Sequence, residues 1–96
     1  MPLALSHEQN MDRPIVICDH CGQEIRCAAE GNYQWLDSDR PARLYFTHKA
    51  CCHAFEKRHG GSWYAMELNW LPAYLVNNLE IDWPASQRVA DYLSRW

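Results

Sequence analysis

The sequence predicts a small α+β domain, and three observations carry that prediction. Short β-branched and aromatic runs, separated by polar turns, fill the first half of the chain. A breaker-free helical stretch follows in the middle. Two segments near the C-terminus then each open with a capping residue and an early proline. At 96 residues the chain holds one domain and a modest core, the size at which a metal or disulfides often supply missing stability.

Taken in order, residues 1–13 are polar apart from a short apolar start and are expected to form a flexible tail, with a single domain over 14–96. "PIVIC" (14–18) reads as a strand running into a turn at "DHCG", where Gly22 can take a positive φ. Residues 23–37 offer two extended pieces around a turn at Glu30-Gly31-Asn32. "DSDRPAR" is a loop, and "LYFTH" (44–48) is a further strand. Together these predict a small antiparallel hairpin unit. From about 48 to 59 a helix is expected, with Thr47 as cap, Cys51 and Phe55 on one face, and Gly60-Gly61 as the stop. "SWYAMELNW" (62–70) is ambiguous and reads as an extended or irregular link. Asn69 with Pro72, and Asp82 with Pro84, mark two short C-terminal helices. Leu71, Leu75 and Leu79 share a face of the first; Val89, Tyr92, Leu93 and Trp96 form the stripe of the second.

Composition excludes several classes. Hydrophobic residues make up 48% and five residues are tryptophan, which argues against disorder. Net charge is -3, so no polyelectrolyte surface is expected. No apolar run approaches the ~18 residues of a membrane helix, and the start has no basic stretch ahead of an apolar one, so no membrane span or export signal is expected. Five cysteines, an odd number, point to a reducing, cytoplasmic setting over a disulfide framework.

The cysteines and histidines carry the chemistry. Cys18 and Cys21 are three apart, and after a gap of 26 residues His48 and Cys51 are again three apart. Three thiolates and one imidazole make a closed tetrahedral set for one Zn2+ ion. A two-residue gap in a tight turn lets two sulfurs share a concavity, and positions i and i+3 at a helix start project to one side. Cys52 or His53 could replace a neighbour, but one step along a helix turns a side chain by about 100°. His20 is expected to point outward, and Cys27 and Cys52 to be small buried side chains. A redox Cys-x-x-Cys would open a helix in a larger βαβ fold, which this chain is too short to form.

Residues 18 to 51 resemble a treble-clef zinc finger: a knuckle, a β-hairpin, then a helix that brings the last two ligands. The Cys-x2-Cys…His-x2-Cys order is similar to the first zinc site of LIM domains, with a longer gap. The second LIM site has no counterpart, because nothing after His59 is cysteine or histidine. The resemblance implies the fold and the metal of a zinc-binding unit, placed at 14–60, and hardly anything about activity; the helical part over 61–96 is read from its own caps and prolines.

Four good ligands leave no open position for water, so the metal is expected to be structural and the protein no enzyme. The His-x-Glu of zinc deaminases and the His-Glu-x-x-His of metalloproteases are absent, and no second ligand set of the HNH nuclease kind can be assembled. Binding functions remain. Residues 13–60 carry seven basic and six acidic side chains, a weak footprint for nucleic acid, although Tyr33, Trp35, Tyr45 and Phe46 could stack bases. Trp63, Trp70, Trp83 and Trp96 crowd the C-terminal part. They either fill a mini-core between the helices and the zinc unit or mark a surface for a protein partner or a homodimer. The favoured expectation is a non-catalytic protein-interaction or regulatory module, with a nucleic-acid-binding accessory protein second.

Overall fold

The computed structural model describes residues 3–8, 10–38 and 40–94. It is an α+β fold with two small antiparallel sheets and three helices. Strands β1 (Leu3–Glu8) and β2 (Met11–Val16) form a two-stranded ribbon. Strands β3 (Gly31–Leu36), β4 (Tyr45–His48) and β5 (Trp63–Glu67) form the second sheet in the order β4-β3-β5. Helix α1 is Lys49–His59, α2 is Leu71–Asn78 and α3 is Trp83–Leu93. The expected position of Trp96 lies outside the described residues.

The central sheet separates two layers because its strands alternate. On β3, Tyr33 and Trp35 face one side, where Tyr33 sits opposite Phe46 of β4 and Met66 of β5. Cys18, Ile25, Tyr33, Phe46 and Leu68 are the buried cluster of this layer. Gln34 faces the other side with Tyr45, Thr47 and Trp63, and there α1 lays down Phe55, 1% exposed, whose ring centroid is 5.3 Å from that of Tyr45 and 5.4 Å from that of Trp63. Under α1 lies a polar chain, buried at Thr47 and Gln34 and half-buried at Glu56 and Cys52. The Thr47 hydroxyl donates to Gln34 Oε1, Gln34 Nε2 donates to Glu56 Oε2 at 3.2 Å, and the Cys52 thiol donates to the same oxygen at 3.3 Å. Gln34 and Thr47 are fully buried, so these bonds replace water that their polar atoms would otherwise lose.

Several expectations are corrected. Most of the predicted tail is ribbon. Asn10, at φ 60°, turns the chain between paired Glu8 and Met11, and His7–Asp12 and Arg13–Glu8 pair across it. The turn expected at Glu30-Gly31-Asn32 does not form. A 3-10 turn spans Ala28–Glu30, and β3 begins at Gly31. Gly31 serves close approach instead, since a Cβ there would lie 2.8 Å from Ile25 Cγ2 and 3.1 Å from Leu68 Cδ2. Cys27 therefore falls before the 3-10 turn and is exposed, not buried. The ambiguous link after 61 contains β5, which pairs with β3 and extends the sheet past residue 60. Thr47 does not cap α1; its hydroxyl is spent on Gln34, and His48 stands at the cap position. Asn69 does not cap α2, because a 3-10 turn over Leu68–Trp70 runs straight into that helix. Asp82 does cap α3, accepting from the Ala85 N–H at 3.1 Å. No helix among the described residues is long and apolar enough to cross a membrane.

Candidate metal centre

The first two ligand candidates come from the turn after β2. Ile17 bridges Glu24, the Ile25 N–H reaches the Val16 carbonyl at 2.8 Å, and the Cys18 N–H reaches the Gln23 carbonyl at 2.8 Å. These bonds fold residues 18–22 into a knuckle closed by Gly22 N–H to Cys18 carbonyl at 3.0 Å, with Gly22 at φ 77°. A Cβ at Gly22 would meet nothing, so the requirement there is conformational and not steric. The other two candidates come from the junction of β4 and α1. His48 is the last strand residue, and Cys51 lies one helical turn later.

Asp19 joins the two halves. Its N–H donates to the Phe46 carbonyl at 2.6 Å, and its Oδ2 accepts from the Phe46 N–H at 2.9 Å. This reciprocal pair docks the knuckle on β4 and brings Cys18, Cys21, His48 and Cys51 together. Their ligand atoms all lie within 4.8 Å of one another, with Cys18 buried, His48 and Cys51 half-buried and Cys21 exposed. All five cysteines are free thiols.

The surroundings suit charged sulfur. Cys18 Sγ accepts from the Cys21 N–H at 3.5 Å and the His48 N–H at 3.4 Å. Burial alone would push the Cys18 thiol up. The Cys21, His48 and His20 N–H groups and the His48 ring outweigh it and bring the thiol down to about 6. Cys51 goes the other way, to about 12, through burial and then the neighbouring sulfurs of Cys18 and Cys21. Three thiolates this close resist joint ionisation unless a cation neutralises them, so the set could hold a metal ion. The imidazole is oriented for the same task. A carbonyl only accepts, so the 3.1 Å contact of His48 Nε2 with the Glu24 carbonyl places the proton on Nε2. That leaves the Nδ1 lone pair facing Cys21 Sγ at 3.4 Å, inside the cluster.

The alternative ligands sit elsewhere. Cys52 is turned to Glu56, its thiol pushed up by burial. His53 is exposed. His20 keeps a buried Nδ1 without a hydrogen-bond partner, and its ring is outside the four-residue set. Asp19 and the Glu24 carbonyl are the contributors missed from sequence. An Asp beside a knuckle cysteine is a readable hint, whereas a backbone carbonyl leaves no residue signature. Comparisons of the chain with protein families, with curated proteins and with solved structures find no match.

Proposed function

We propose that this protein is a small non-catalytic zinc-binding module whose Cys3His site is structural and whose C-terminal part engages another protein. The convergence of Cys18, Cys21, Cys51 and His48 Nδ1 in one concavity carries this reading. Zinc takes thiolate sulfur at ~2.3 Å and imidazole nitrogen at ~2.0–2.1 Å in a tetrahedral shell, a donor set that Mg2+ or Ca2+ would not choose. The order of knuckle, antiparallel strands β3 and β4, and α1 supports a treble-clef-like unit. Four protein ligands fill the shell, which supports a structural ion and not a catalytic one.

The binding role rests on what the metal unit leaves uncovered. Trp70, Tyr74, Leu75, Leu79, Trp83, Val89 and Leu93 are all more than two-fifths exposed. Exposed apolar and aromatic residues in this density mark association surfaces. Nucleic acid fits less well. Arg13, Arg26, Arg40 and Lys49 each lie within ion-pair distance of a carboxylate, which removes much of the free positive charge.

Metal analysis with native mass spectrometry tests the reading. One zinc per chain, lost together with the folded near-UV signal under a strong chelator, is the expected result. A metal-free preparation that melts cooperatively and ignores the chelator would sink it.

A further inference from the structure

Helices α2 and α3 are 8 and 11 residues long and bury none of their residues. Isolated helices shorter than ~12–15 residues are marginal in water, so elements this short hold their shape by packing an apolar face. Here that face is covered only in part, with Leu71 packed against the core and Leu75, Leu79, Val89 and Leu93 exposed. Leu75 and Trp83 line a groove of about 660 Å³ together with Phe46, Leu68, Leu71 and Leu3 of β1. Ser86 also lines it and starts a stripe that continues outside the groove through Val89 and Leu93. The molecule is correspondingly extended. Its radius of gyration is 14.9 Å, against about 12.5 Å for a compact domain of this length.

We propose that the occupant of this groove is a second copy of the chain, related by a two-fold axis, with Val89 and Leu93 of each α3 entering the groove of the other. The inference rests on the reading of the C-terminal part as an association surface, and three observations select a second copy. First, each chain carries both a groove and an apolar ridge continuous with it along one helix, the self-complementary arrangement that a two-fold contact requires. Second, residues 70–79 contain no charged side chain, so pairing like with like brings no repulsion there even though the chain carries net charge -3. Third, the area is of the right size. Leu3, Leu75 and Trp83 of the groove wall, with Leu79, Val89 and Leu93 beside it, are each about half exposed and together present on the order of 600 Å². A stable interface takes ~800 Å² from each partner.

The test is the mass of the full-length metal-bound protein by light scattering and native mass spectrometry, from micromolar to near-millimolar concentration. Twice the mass of one chain is expected, with tryptophan emission shifting to the red on dilution as Trp83 is uncovered. Val89→Asp and Leu93→Asp should each weaken association by ~100-fold or more, since a charge would be buried without a partner. Gln87→Ala, on the polar face of α3, should leave association unchanged. Zinc content is read in the same spectra, so loss of association in a variant that keeps its metal is not mistaken for unfolding. A wild-type chain that stays single at every concentration with its zinc bound overturns the dimer and leaves the zinc reading standing. Single-chain mass with no metal bound overturns both. A dimer that Val89→Asp and Leu93→Asp leave intact overturns the interface assigned here.

Discussion

The stretch from Cys18 to Leu68 and the segments flanking it are held in different ways. Among the described residues, every buried side chain lies between those two positions. The ribbon on one side and α2 and α3 on the other bury none. The central stretch combines a three-stranded sheet, a helix packed through Phe55 and the four-residue cluster, and its parts support one another. The flanks meet that core through partly buried Val16 and Leu71, and otherwise rely on their own ladder bonds, an Asp82 cap and an apolar face that lacks a full cover among the described residues. In such a molecule local opening of the flanks should cost far less than global unfolding of the centre.

Perturbing the proposed metal site should show the contrast at its largest. Cys21→Ser removes one of the four candidate ligands of the proposed zinc site, and apparent metal-binding energies of about 10–16 kcal/mol in small zinc domains rival the whole ~5–15 kcal/mol stability of a domain. The expected outcome is loss of the cooperative thermal transition. Cys27→Ser, at an exposed cysteine outside the cluster, should shift stability by no more than ~0.5 kcal/mol. If both variants melted alike, the ligand set would be wrong.

Gln34→Leu probes the centre without touching a ligand. It takes the buried Thr47 hydroxyl's acceptor away and leaves the Glu56 carboxylate with the Cys52 thiol alone, and should lower the urea-derived unfolding free energy by about 1–3 kcal/mol while zinc content stays at its wild-type value. Asp82→Ala should have the smallest effect. Loss of the cap destabilises α3 by about 1 kcal/mol, read as faster amide exchange in residues 83–93 with the main melting transition unmoved. A fall in that transition would mean that α3 is coupled to the core more tightly than its burial indicates.

What was readable from sequence follows the range of the interactions. The spacings Cys18-x2-Cys21 and His48-x2-Cys51, the body of α1 and the Asp82 cap are local patterns, and the structure has each in its expected place. Pairing between distant strands is not local. Nothing between residues 62 and 70 announces that Tyr64 will sit opposite Trp35, so β5 read as a link. The ribbon was missed because its polar cross-strand pairs, His7–Asp12 and Arg13–Glu8, look like a solvated tail until the two strands are aligned. Gly31 misled because a glycine after Glu30 suggests a turn, whereas here it is needed for the close approach of Ile25 and Leu68. Thr47 is a good cap by type, but the buried Gln34 amide oxygen claims its hydroxyl.

His48 closes β4 and Lys49 opens α1 with no residue between them. An ion gripping that seam, as proposed, would leave no hinge there. The outward bearing of His53, Lys57 and Arg58 would then be locked to the plane of the sheet, and anything that loosened the grip would swing that whole charged edge at once.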